Sequence, residues 1–116
     1  MKPQHISVSE NRSELTLSYE NLPTVSFSSE FLRVLSPSAE VQGHGPGQAV
    51  LQTGKRLVTI TDVEPVGRYA IRIVFSDGHK TGIFSWIYLR ELAENKDEMW
   101  SDYLKALEDA SCSRDG

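Results

Sequence analysis

Residues 57–86 read LVTITDVEPVGRYAIRIVFSDGHKTGIFSW, and the connections inside this stretch decide the fold. Ser76-Asp77-Gly78-His79 separates two apolar runs. Asp-Gly in that setting is a strong hairpin signal, because glycine takes the positive φ that a tight turn demands. Before it, Tyr69, Ile71, Ile73 and Phe75 alternate at period two and are expected on one face of a strand, with Arg72 on a wetter face. Lys80 to Phe84 is the expected return strand. Leu57 to Val63, rich in β-branched residues, reads as a further strand that Glu64-Pro65-Val66-Gly67 turns back. Connections this short join antiparallel neighbours.

Working outward, residues 4–8 and 14–19 read as strands joined by a turn at Asn11-Arg12-Ser13, and Val25 to Phe27 as a short third strand. Ser28 can cap a short helix in which Phe31, Leu32 and Leu35 share a face, and Pro37 prevents its continuation. On the other side, Ser85 can cap a helix from Trp86 to about Glu94. Asn95 and Glu98 have capping-box spacing ahead of Trp100, Tyr103, Leu104 and Leu107. The expected fold is α+β: an antiparallel sheet, a short helix after the third strand, and C-terminal helices on one side. One domain is expected over residues 1–110, with a polar C-terminal tail at 111–116.

The chain has 116 residues and a formal net charge of -4. No global positive field gathers nucleic acid, and no run approaches the length of a membrane span, so neither partner is expected. Lys55, Arg56, Arg68, Arg72 and Lys80 are the nearest thing to a basic patch, but the aromatics beside them, Tyr69 and Phe75, read as core. From Glu91 onward acids outnumber bases, which suits a solvated helix face or a basic partner surface. The single cysteine, Cys112, precludes an internal disulfide and fits a cytoplasmic, reducing setting. Edge strands and an apolar helix stripe suit a monomer or a homodimer alike.

Between the two halves lies Ser36 to Gln48, SPSAEVQGHGPGQ. Its G-x-G-x-G spacing fits neither a phosphate loop nor a dinucleotide fingerprint. No serine has the G-x-S-x-G context of a nucleophile, and no catalytic constellation stands out, so an enzyme is not expected; an enzyme or enzyme subunit of other chemistry is the last alternative. His44, His79, Glu40 and Asp77 could meet if the loop folds over the Asp-Gly turn. Two imidazoles with carboxylates suit zinc or iron(II), a metal-binding alternative to the plainer reading in which His44 and His79 serve turns.

FLRVLSPSAEVQGHGPGQ followed by GKRLVTITDVEPVGRYAIRIVFSDGHKTGIFSWIYLREL resembles the gamma-butyrobetaine hydroxylase-like N-terminal domain over roughly Ser13 to Leu92. The most specific parts are Leu32-Arg33, the loop, Val66-Gly67 with Tyr69-Ala70, the Asp77-Gly78-His79 turn, and Ser85-Trp86 with Leu89. The resemblance implies a small domain of largely unknown function. It precedes the oxygenase of carnitine-pathway hydroxylases, is attached to P-loop ATPases that carry iron–sulfur clusters, and occurs alone in bacteria, the form this chain looks like. In the hydroxylases it resembles a zinc module with three cysteines and a histidine. Those cysteine positions fall on Ser36, Ser38 and Val41, and the histidine position on His79. With no thiolates, zinc in that manner is not expected, and no cofactor is. The reading is an accessory interaction module, linked to iron–sulfur cluster assembly or carrier proteins, whose surface comprises Ser36, Ser38, Glu40, His44, Gly45, Gly47, Asp77, His79 and Trp86.

Overall fold

Turn chemistry organises the first third of the chain. In the computed structural model, which describes residues 2–45 and 47–116, the Asn11 carboxamide oxygen accepts bonds from the Ser13 amide and hydroxyl, and Arg12 sits at φ 61°. That turn joins β1 (His5–Val8) to β2 (Glu14–Ser18), and β3 (Val25–Ser28) completes an antiparallel sheet of order β1-β2-β3. Register places Leu15 opposite Phe27 and Leu17 opposite Val25, so one face is apolar. Ser28 then caps α1 (Ser29–Val34) by accepting from the Phe31 amide.

A second antiparallel sheet, of order β4-β5-β6, consists of β4 (Ile60–Val66), β5 (Ala70–Phe75) and β6 (Ile83–Ser85). The strands thus fall into two small sheets rather than one. Their apolar faces share a single core in which Leu15, Leu17 and Phe27 meet Ile60, Ile73, Phe75 and Phe84. β4 runs three residues later than its composition suggests. Its expected start, Leu57, is 88% exposed, and the turn falls at Gly67, φ 56°. Pro65 stays in the strand because β4 is an edge, where a missing N–H costs no ladder bond. Tyr69 follows that turn and is 62% exposed rather than in the core with Ile71, Ile73 and Phe75.

The Asp-Gly turn is where expected: Gly78 has φ 90°, its amide donates to the Phe75 carbonyl, and the Phe75 amide donates to that of His79. The return strand is shorter than expected. Lys80 and Thr81 leave the ladder, Gly82 keeps only the bond its carbonyl accepts from the Ile73 amide, and Ile83 to Ser85 pair in register with β5. Two helices follow, α3 (Trp86–Glu94), capped by Ser85, and α4 (Lys96–Asp109). The capping box does not form. Asn95 is the only residue between the helices, and its side chain donates to the Glu91 carbonyl, closing α3 instead of opening α4.

The polar residues after α4 fold back on the domain. The Gly54 and Arg56 amides donate to the Ser113 and Arg114 carbonyls, and Arg114 holds the buried Glu30 of α1 with two bonds of 2.6 and 2.8 Å. Among the described residues no helix is long and apolar enough to cross a membrane.

Candidate functional site

The connection after α1 is a folded element. Pro37 breaks the helix, and Ser38 caps one further turn, α2 (Ala39–Gln42), by accepting from the Glu40 amide. Gly43 ends it at φ 77°, where a Cβ would lie 2.3 Å from the Gln48 carbonyl oxygen, so only glycine lets the chain close here. The Val50 amide then donates to the Val41 carbonyl, returning the loop along α2. The sequence alone suggests a Gly/Pro interaction loop with no helical turn in it; the Ser-Pro-Ser ahead of Ala-Glu is the signal for the capped turn.

His79 is the centre of what this loop touches. Its Nδ1 lies 3.1 Å from Glu40 Oε2 and its Nε2 2.8 Å from Ser36 Oγ. A carboxylate only accepts, so the imidazole proton belongs on Nδ1, leaving Nε2 to accept from the Ser36 hydroxyl. Beside it, the Ser38 and Thr81 hydroxyls meet at 2.6 Å, and Gln42 donates to the Ser36 carbonyl. Ser36 is fully buried and His79 only 6% exposed. Gly82 passes directly over the pair, where a Cβ would fall 2.3 Å from Ser36 Oγ. This close approach and the Ser38–Thr81 bond lie in the stretch where the chain departs from the β5–β6 ladder.

The turn contributes a second layer. Asp77 Oδ1 accepts from the His79 amide, while Oδ2 accepts from Arg33 at 2.9 Å and Lys55 at 2.8 Å. Burial would raise the Asp77 carboxyl, but Lys55, the His79 amide and Arg33 outweigh it and lower it to about 2. Burial, reinforced by the Arg33 guanidinium, depresses the His79 imidazole below 6.5 despite Glu40. Arg33 also donates to Gln52, tying in the far arm of the loop.

The structure therefore brings together Ser36, Ser38, Glu40, Asp77 and His79. His44, Gly45 and Gly47 sit at the loop tip, away from these bonds, and Pro46 lies outside the described residues. Trp86 is elsewhere: its amide bonds to the Tyr69 carbonyl, at the opposite end of β5 from His79, and its indole donates to the Arg68 carbonyl. Among the described residues no three His, Cys, Asp or Glu side chains are placed to hold a metal, so the set His44, His79, Glu40 and Asp77 does not assemble. Arg33, Gln42, Gln52, Lys55 and Thr81 belong to the network but were not foreseen. A cation between Phe31-Leu32 and Val34-Leu35 was the signal for Arg33, since a buried charge needs a partner.

Serine, histidine and carboxylate in hydrogen-bonded series is the order a hydrolase uses. Here Ser36 Oγ is sealed beneath Gly82, and no substrate reaches it in this conformation. What the series does is fasten the loop to the Asp77–His79 turn.

The family model for the gamma-butyrobetaine hydroxylase-like N-terminal domain matches residues 6–90. A solution NMR structure is 49% identical, with a TM-score of 0.86 over 98% of this chain and 90% of that one. A second NMR structure is 43% identical, with a TM-score of 0.81 over 97% and 84%. A crystal structure of a protein of unknown function from Acidithiobacillus ferrooxidans is 36% identical, with a TM-score of 0.65 over 79% and 92%. Curated proteins give no match. A match across most of the chain, with relatives above 35% identity that keep its fold, identifies it: this chain belongs to the gamma-butyrobetaine hydroxylase-like N-terminal family.

Proposed function

We propose that this domain is a non-catalytic interaction module whose shaped loop, residues 36–52, presents a surface to a protein partner. The observation that carries the reading is the Ser36–His79–Glu40 series. Buried polar groups are costly unless fully bonded. Here they fix a glycine-rich loop whose outer residues, Glu40, His44 and Gln48 to Leu51, remain exposed. A loop held rigid with its outer side bare suits recognition, because little ordering entropy is lost on binding. Iron–sulfur assembly or carrier proteins are the proposed class of partner, on the strength of the settings in which the family's domain occurs.

Affinity capture with the intact protein tests this, beside a His44→Asp/Gln48→Ala variant that changes only the exposed tip. A stoichiometric partner retained by the wild type and lost from the variant, with the melting temperature unchanged, is the expected result. Capture insensitive to the tip, or no partner at all, rejects the reading.

A further inference from the structure

Beside the loop's far arm lies a cavity of about 370 Å³, walled by Val41, Val50, Leu51, Met99 and Tyr103, with Asp102 at its edge. Residues 49–52 form one side and α4 the other. Val50 is 56% and Leu51 37% exposed, apolar surface left in water on a segment otherwise held in place. The polar groups that line it are mostly occupied. The Gln42 amide donates to the Ser36 carbonyl, the Gln52 side chain is shared between Arg33 and the Val50 carbonyl, and the Tyr103 hydroxyl donates to the Gln52 carbonyl. Asp102 makes no ion pair or side-chain hydrogen bond among the described residues.

The charge around the cavity has one predominant sign. Glu98 and Asp109 lie along the Asp102 side of α4, with Lys105 interleaved. The cations nearest the loop, Arg33 and Lys55, are both engaged by Asp77. An incoming acidic group would meet three carboxylates, Glu98, Asp102 and Asp109, against the single cation Lys105 on that side of α4. An incoming ammonium or guanidinium would meet a carboxylate whose bonds are unspent.

We propose that this groove receives a short protein segment in which a large apolar side chain is flanked by lysine or arginine. The apolar anchor enters between Val50 and Met99, and the flanking cation pairs with Asp102. This rests on the interaction-module reading and names the chemistry of its partner. A volume of this size takes one such anchor rather than a folded domain, so the recognised element is a linear segment.

The test uses the intact protein and an acetylated leucine–arginine–phenylalanine–lysine–leucine peptide, followed by amide NMR shifts. Two control peptides carry glutamate or glutamine in place of both basic residues. Saturable shifts centred on Val50, Leu51, Met99 and Tyr103 are expected with the basic peptide. Asp102→Lys should weaken that binding by about tenfold while admitting the acidic peptide, and Val50→Ser should weaken it without change in melting temperature. The inference is overturned by equal affinity for the neutral peptide, by shifts scattered along α4 alone, or by insensitivity to Asp102→Lys. Groove shifts that appear on concentrating the protein by itself would also overturn it, since a second copy would then be the occupant. If a partner is captured through the loop tip while no peptide enters the groove, the groove assignment falls and the module stands. If the peptide enters but no partner depends on the tip, the module reading falls.

Discussion

The two-sheet core and the loop pinned to His79 hold the same domain together by opposite means. In the core, Leu15, Leu17, Phe27, Ile73, Phe75 and Phe84 are all but fully buried, and stability comes from apolar area removed from water. Around His79, Ser36 and Ser38 are buried with it while Glu40 reaches into water, and the contacts are hydroxyl, imidazole, carboxylate and guanidinium. Apolar packing is tolerant in detail and large in sum. A polar network contributes less net free energy, but each member left without its partner is penalised. The core makes the domain stable; the network fixes the shape of one loop.

Deleting a core ring should have the largest effect. Phe84 has no exposure, sits on β6 opposite Ile71, and lies 6.1 Å from the Tyr88 ring. Phe84→Ala should cost about 3–5 kcal/mol of global stability, read by denaturant melts. A loss below about 1 kcal/mol would show that the core can collapse around the gap, and would remove the contrast with the loop.

How much of this was legible follows the same division. Core strands announce themselves by alternation, so Leu15-Leu17 and Ile71-Ile73-Phe75 were readable, as were the serine caps of α1 and α3 and the Asp-Gly turn. Alternation fails at strand ends, where nothing alternates. Leu57 and Tyr69 continue the apolar pattern but lie beyond the part of the strand that the facing sheet covers. Pro65 read as a turn because whether a strand is an edge depends on which strands pair, a tertiary fact. In the loop, individual residues could be named but not their pairings. Ser36 and His79 are 43 positions apart, and hydrogen bonds leave no period in a sequence. Arg33 shows how a buried cation can be noticed without its carboxylate being identified.

The network should also make the domain sensitive to acid in two windows. His79 is depressed below 6.5 by burial and Arg33. Between that folded value and 6.5 the unfolded chain binds a proton that the folded chain does not, so stability is full above 6.5 and declines as pH falls through the window. Asp77, lowered from 3.8 to about 2, contributes above 3.8 and is lost as pH falls through about 2. Melts from pH 8 to 2 should show both declines in the wild type, the upper one abolished by His79→Gln and the lower by Asp77→Asn. If both variants parallel the wild type at every pH, the titrating groups lie elsewhere and the pinned loop contributes nothing to stability.

The smallest expected effect is that of metal removal, and it separates the two ways a loop of this kind can be fastened. The family resemblance gives cysteine ligands to the positions of Ser36, Ser38 and Val41, all buried here. A metal so bound links ligand loss to unfolding, since its binding free energy is part of the folding free energy. In this chain one of those positions donates to His79, another bonds to Thr81, and the third is apolar. The fastening is therefore complete within the polypeptide. Exhaustive dialysis against a strong chelator should leave the melting temperature unchanged, with the amide shifts of residues 36–42 and 77–81 undisturbed. A drop of several degrees, restored by zinc or iron(II) but not by magnesium, would mean that the hydrogen bonds around His79 describe only the unloaded form, and that the loop, like the core, owes its stability to something other than its own polar groups.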